Sequence, residues 1–129
     1  MDSKEGEKAW SIVKRAQSFN HAFRGIRVFF AATPNAFIHA FAAFLVVVAG
    51  FCLKVSLTEW LFLVFAIGLV FVAEVLNTAI EIDINLTSPD FHPYARDTKD
   101  VAAAAVLVSV FLSVVVGLII FLPKLYAII

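Results

Sequence analysis

The amino-acid sequence predicts an all-α membrane protein with three transmembrane helices and an N-terminal amphipathic surface helix. Of its 129 residues, 62% are hydrophobic, and the mean hydropathy is +0.95, whereas soluble domains are about 45–50% apolar. A chain this short cannot bury so much apolar surface in a soluble core. The apolar residues also form long runs separated by short polar segments. We therefore expect one integral-membrane domain over residues 1–129.

Three apolar runs, residues 36–53, 57–84 and 101–122, are the predicted transmembrane helices. About 20 helical residues cross a hydrocarbon core of roughly 30 Å. The turn Lys54-Val55-Ser56 is short, so the first two helices should be antiparallel neighbours. Pro89 and Pro93 should interrupt the chain before the third helix, since proline does not continue a helix.

Residues 7–32 are predicted to form a surface helix. Its apolar residues recur every three or four positions: Trp10, Val13, Ala16, Phe19, Phe23, Ile26 and Phe30. Its basic residues fall largely elsewhere on the helical wheel: Lys14, Arg15, His21, Arg24 and Arg27. A basic helix with an aromatic stripe lies in the membrane interface rather than crossing it.

The distribution of Lys and Arg predicts the orientation in a bacterial inner membrane. Six of the ten basic residues precede the first span, and Arg96 and Lys99 lie in the 85–100 segment, which we expect to be a loop. On the opposite side are Lys54 and Lys124. By the positive-inside rule, the N-terminus and the 85–100 loop should be cytoplasmic. Equal numbers of acidic and basic residues, 10 each, disfavour a nucleic-acid partner.

The candidate chemical site lies in the second span, which carries Glu74, Asn77 and Glu81. Spacings of three and four place these side chains on one stripe of a helix. Carboxylates in a membrane span are costly and often mark a functional site. Two acids and an amide can activate a hydroxyl and bind a divalent cation. The alternative is that they hold helices together through hydrogen bonds.

Weaker candidates surround the third span. Lys99 and Asp100 open it, and a lysine at a helix start requires an anionic partner, such as a nucleotide phosphate or a neighbouring acid. His92 in the preceding loop is more often simply solvated. Residues 102–105 are four alanines, a surface that favours close helix packing over a substrate groove.

These residues together resemble the prokaryotic diacylglycerol and undecaprenol kinase family. The resemblance is carried by three strings, AEVLNTAIE from Ala73, SPDFH from Ser88 and KDVAAAAVL from Lys99. It extends less sharply to residues 18–25 and 35–39. No Walker-type phosphate loop is present in the sequence.

The resemblance implies an ATP-dependent lipid kinase that phosphorylates the primary hydroxyl of diacylglycerol or undecaprenol, with Mg²⁺ as cofactor. It implies a homotrimer in the lipid bilayer with sites at the subunit interfaces. Glu74 would be the catalytic base, Asn77 a positioning residue and Glu81 the metal ligand, with Ala103 beside the lipid. The implied nucleotide contacts are Lys14, His21, Glu81, Asp90, His92, Lys99 and Asp100.

The sequence departs from the family pattern at two acidic positions. A second metal-binding glutamate usually lies two residues before Asn35, where this chain has Thr33, and an aspartate often found four residues after Glu81 is replaced by Asn85. A hydroxyl is a weaker Mg²⁺ ligand than a carboxylate. Alternatives are therefore a non-catalytic membrane homologue or scaffold, and a small ion or proton carrier that uses the two glutamates.

The predicted topology can be tested by cysteine labelling. In a Cys52→Ser background, Lys14→Cys should react with a membrane-impermeant thiol reagent only when the cytoplasmic face is accessible, because the basic surface helix should lie against that face. Labelling of this cysteine from the periplasmic side alone would contradict the topology.

Overall fold

The computed structural model describes residues 3–129, with side chains from Trp10 onward. The chain is all-helical and divides after Thr33 into two compact units. The first unit contains α1, Ser3–Ala32. The second contains α2, Pro34–Cys52, α3, Leu57–Thr87, and α4, Pro93–Tyr126. These last three helices are long and apolar enough to cross a membrane, which confirms the predicted fold class.

The turn between α2 and α3 is defined by local hydrogen bonds. Lys54 adopts a left-handed φ of 52°, and Val55 N donates to Gly50 O at 3.1 Å, which closes α2. Ser56 then caps α3: Glu59 N donates to Ser56 Oγ, while Ser56 N donates to the Glu59 carboxylate. This reciprocal pair satisfies backbone donors that a helix start leaves open. The two helices therefore run antiparallel, as the short turn predicts.

The connection between α3 and α4 is shorter than predicted, which corrects the expected 85–100 loop. α3 continues to Thr87 and α4 begins at Pro93, so only residues 88–92 lie outside a helix. His92 caps α4, and Pro93 occupies its first turn, where the missing N–H has no cost. Arg96, Lys99 and Asp100 are consequently helical residues.

α4 packs along α3, and α2 packs against α3. Small residues allow the close approach of α3 and α4: Ala66 and Ala102 are buried, and Ser113 Oγ donates to Ala66 O at 2.9 Å. At the turn end, a hydrophobic cluster forms around Val55, Leu63 and Ile120. Lys124 near the end of α4 pairs with Glu59 at the start of α3 at 3.0 Å.

Most large apolar side chains of α2, α3 and α4 are exposed in the single chain. In water such a surface would be strongly unfavourable, whereas lipid tails or neighbouring copies of the chain would cover it. The core inside the unit is correspondingly small.

Gly50 provides a test of the packing at the turn end. A Cβ at Gly50 would lie 2.5 Å from Cη2 of Trp60, whereas a Cβ at Gly68 meets no atom within 4 Å. We expect Gly50→Ala to lower the free energy of unfolding by about 1–3 kcal/mol through overpacking. The matched control, Gly68→Ala, should be neutral or stabilising by up to about 1 kcal/mol, since alanine favours helix. Denaturant unfolding in micelles followed by circular dichroism measures both, and equal stabilities would contradict this packing.

Candidate functional site

Glu74 is the central polar side chain of the membrane-spanning unit. It lies on the face of α3 that packs toward α2 and is 3% exposed. His39 of α2 places Nε2 at 2.8 Å from Glu74 Oε1. A buried carboxylate requires a hydrogen-bonding or charged partner, because its transfer from water to a low-dielectric interior is costly. His39 supplies that partner from the neighbouring helix.

Asn77 and Glu81 continue the polar stripe along α3. Asn77 Nδ2 donates to Glu81 Oε1 at 3.1 Å. Asn77 is buried while Glu81 is exposed. Among the buried polar side-chain atoms of the described residues, Asn77 Oδ1 has no hydrogen-bond partner. A buried acceptor without a partner is unusual in a folded protein and is available to a donor on a bound molecule.

The stripe lies on the half of α3 that is distant from Leu57. At 1.5 Å rise per residue, Glu74 lies about 26 Å and Glu81 about 36 Å along α3 from Leu57. The turn with Lys54 and the Glu59–Lys124 pair mark the polar boundary at the Leu57 end. The hydrocarbon core is about 30 Å thick, so a helix that entered it at Leu57 along the membrane normal would carry Glu74 inside the core and Glu81 beyond its far side.

The start of α4 is tied to the end of α3 by a charged side chain. Lys99 Nζ donates to Asn85 Oδ1 at 2.6 Å. The partner is a neutral amide, so it orients the ammonium group without cancelling its charge. Asp100, by contrast, lies 3.6 Å from Arg96 in an exposed pair, and exposed pairs contribute little stability.

His92 and Asp90 lie in the connection between α3 and α4. Tyr94 N donates to His92 Nδ1 at 3.2 Å, so the proton of the neutral imidazole is on Nε2 and that N–H faces solvent. Ser88 Oγ donates to the backbone carbonyl of Asp90, whose side chain is exposed. Both side chains remain accessible to a solute.

The predicted site residues therefore form two neighbouring groups within the membrane-spanning unit. Glu74, Asn77 and Glu81 share one stripe of α3, and Lys99 meets this helix at Asn85. Ala103 is exposed beside the buried Ala102. Lys14 and His21 belong to α1 in the other unit, where Lys14 Nζ lies 3.6 Å from the centroid of the Trp10 ring. Their relation to the stripe stays a prediction.

The residues of the stripe fit a Mg²⁺ ion that is held largely by other ligands. No group of three or more His, Cys, Asp or Glu side chains comes together in the part of the chain that the structure describes. Glu81 offers a water-facing carboxylate next to the Asn77 amide. Mg²⁺ characteristically binds proteins through one or two carboxylates and completes its shell with phosphates and water.

His39 and Asn85 contact the site and were not predicted as members of it. His39 is separated from Glu74 by 35 positions along the chain. Its signal in the sequence is that it is an ionisable residue in an otherwise apolar span, which is the same signal that identified Glu74.

Two grooves border the polar stripe. The first, about 230 Å³, lies between α2, α3 and α4 and extends from His39 toward the Leu57 end of α3. Apart from His39, its lining is almost entirely apolar. The second, about 720 Å³, lies between α3 and α4. Its polar lining residues are Asn77, Tyr94, Asp97, Thr98 and Ser109.

The chain is similar to a known protein family and to several curated bacterial kinases. Residues 20–121 match the family described as prokaryotic diacylglycerol kinase. An undecaprenol kinase from Bacillus subtilis is 42% identical over 125 residues, which cover 97% of this chain and 100% of that protein. A diacylglycerol kinase from Synechocystis is 34% identical over 92% of this chain and 69% of its own length. The Escherichia coli diacylglycerol kinase is 31% identical over 57% of this chain and 61% of that protein.

Proposed function

The chain belongs to the prokaryotic diacylglycerol kinase family, and from this premise we propose that it transfers the γ-phosphoryl group of ATP to the primary hydroxyl of a membrane lipid. Its relatives are named as lipid kinases, and its three apolar helices make it a multi-pass bacterial membrane protein. The observation that carries the proposal is the buried Glu74, which shares a polar stripe with Asn77 and Glu81 in an apolar span. A non-catalytic role is not favoured, since glutamate and asparagine are both retained on the stripe.

Undecaprenol is the favoured acceptor, with diacylglycerol second. The support is that the similar undecaprenol kinase matches over its entire length, whereas the diacylglycerol kinases match over part of theirs. Both lipids present a primary hydroxyl at the membrane interface, so the same base would serve either one.

In the proposed reaction, Glu74 accepts the hydroxyl proton as the lipid oxygen attacks the γ-phosphorus. The new bond joins this oxygen to phosphorus, the bond between the γ-phosphorus and the bridging oxygen breaks, and ADP leaves with that oxygen. General-base catalysis of this kind contributes typically 10²–10⁴-fold, so roughly that loss is expected without it. Asn77 holds Glu81 through its amide and keeps Oδ1 available as an acceptor.

The nucleotide would lie on the aqueous side of the stripe. Lys99 donates to a neutral amide rather than to an acid, so it is suited to bind phosphate oxygens. His92 offers its exposed Nε2–H, and we assign Asp90, Asp100, Lys14 and His21 to the same nucleotide site from the family resemblance. Glu81 would hold Mg²⁺, which neutralises charge on the transferring phosphoryl group.

We further propose a homotrimer oriented with the N-terminus and the connection between α3 and α4 in the cytoplasm, where ATP is present. The exposed apolar faces of α2, α3 and α4 provide surface for both lipid and neighbouring copies. Ala103 lies on such an exposed face, consistent with its proposed place beside the lipid.

The proposed function predicts a specific effect of Glu74→Gln. With γ-labelled ATP and purified protein in mixed micelles, the wild type should label undecaprenol and, less efficiently, diacylglycerol. Glu74→Gln should lower kcat by about 10²–10⁴-fold with nearly unchanged ATP affinity, because the amide cannot accept the proton.

The matched control is Glu59→Gln, the same substitution near the opposite end of α3. This variant should keep kcat near the wild-type value, since Glu59 pairs with Lys124 away from the stripe. Absence of labelled lipid with the wild type would contradict the proposed function. A nearly wild-type kcat in Glu74→Gln would remove Glu74 from the role of base.

A second prediction concerns Thr33, which is 8% exposed. If this position provides the second metal ligand in relatives, Thr33→Glu should raise activity and tighten apparent MgATP binding, because Mg²⁺ prefers carboxylates. Thr33→Gln is the control of equal size and no charge. Titration of MgATP distinguishes them: unchanged or weaker binding in an oligomeric Thr33→Glu variant would show that residue 33 does not contact the metal.

A further inference from the structure

The hydrogen bond between His39 and Glu74 connects two membrane spans at the site of the proposed base. Nε2 of His39 lies 2.8 Å from Glu74 Oε1, and the two side chains are 19% and 3% exposed. In water, an imidazole ring and a carboxylate each adopt several rotamers. Here the hydrogen bond restricts the rotamers of both His39 and Glu74. The hydrogen bond therefore orients the Glu74 carboxylate and also offsets part of the cost of burying it.

The chemistry of a carboxylate defines the direction of this bond. A carboxylate that acts as a base is ionised and can only accept hydrogen bonds, so the proposed role of Glu74 requires His39 to donate its Nε2–H to Oε1. A hydroxyl approaching from the interface would meet an acceptor whose rotation is already restricted, which lowers the entropic cost of reaching the reactive geometry.

Helix association alone does not account for the pair. α2 and α3 are already joined by the capped turn at Ser56 and by the close contact of Gly50 with Trp60. In the sequence, His39 and Cys52 are the only side chains of α2 that can ionise. A hydrogen-bonding side chain thus lies in α2 at the level of Glu74, although the groove that His39 lines is otherwise almost entirely apolar.

We propose that His39 is the positioning residue for the catalytic base Glu74. Through its Nε2–H it holds Glu74 Oε1 and presents Oε2 to the lipid hydroxyl. After the proton transfer, Glu74 is a carboxylic acid with its proton on Oε2, and the bond from His39 to Oε1 persists. This assignment rests on the proposed kinase function and adds a residue of α2 to the proposed base on α3.

Three substitutions at residue 39 separate positioning from packing. His39→Leu removes the donor and retains bulk, His39→Gln carries an amide N–H at a reach close to Nε2, and His39→Asn carries the same amide one carbon shorter. We expect kcat to fall about 10–100-fold in His39→Leu and His39→Asn with little change in KM for either substrate. His39→Gln should remain within about fivefold of the wild type, because one hydrogen bond is restored.

A double-mutant cycle with Glu74→Gln tests whether His39 acts through Glu74. In the Glu74→Gln background, His39→Leu should cause no further loss of kcat, since the group that it positions is already inactive. Independent, additive losses would overturn the assignment. So would a wild-type kcat in His39→Leu, or equal losses in the Gln and Asn variants.

A measurement without turnover tests the pair itself. The chain has three histidines, and ¹⁵N spectra of the purified protein, assigned with His39→Gln, should show His39 protonated at Nε2. Glu74→Gln should move the His39 signals and leave those of His21 and His92 in place. Unmoved His39 signals would overturn the assignment. If the wild type phosphorylates neither lipid, the proposed function fails, while the spectra still test this hydrogen bond.

Discussion

Placing a carboxylate inside a membrane span is the constraint on which this molecule depends. Charged side chains at a helix centre cost roughly 2.5–3.5 kcal/mol on insertion scales. The hydrogen bond between Glu74 and His39 offsets part of this cost. The pairing in turn requires α2 and α3 to keep a defined register, so the short capped turn and the tight contact at Gly50 are conditions for the site.

The two ends of the membrane-spanning unit differ in polarity: one is packed with apolar side chains, and the other carries the polar stripe. Near Leu57, apolar side chains pack around Leu63 and Ile120, and the Glu59–Lys124 pair joins α3 to α4. At the other end, polar side chains replace the apolar cluster and Asn77 Oδ1 is left without a partner among the described residues. The packed end holds the helices in place, and the polar end has unused hydrogen-bonding capacity at Asn77 Oδ1.

Hydropathy and helical spacing were sufficient to predict the four helices and the stripe on α3, because both signals are local in sequence. The start of α4 was missed, since residues 93–100 are polar and contribute no hydropathy signal; the local evidence there was Pro93 after a capping residue. His39 and Asn85 were missed as contacts for a different reason. Their partners lie 35 and 14 positions away, and contacts between helices depend on packing that spacing within one helix does not contain.

The two departures from the family pattern both replace an acidic residue with a neutral one. Thr33 and Asn85 both stand where the resemblance places an acid, and the structure shows what the second replacement does: Lys99 donates to a neutral carbonyl instead of a carboxylate. An aspartate at residue 85 would form an ion pair that competes with phosphate for this ammonium group. On the proposed function, the absence of an acid at residue 85 leaves the Lys99 ammonium group available to the nucleotide phosphates. On the proposed function, the chain has fewer carboxylates to bind Mg²⁺ than the family pattern, but its Lys99 ammonium group is not paired with an acid at residue 85. Nucleotide binding would then depend more on Lys99 and less on Mg²⁺ than the family pattern implies.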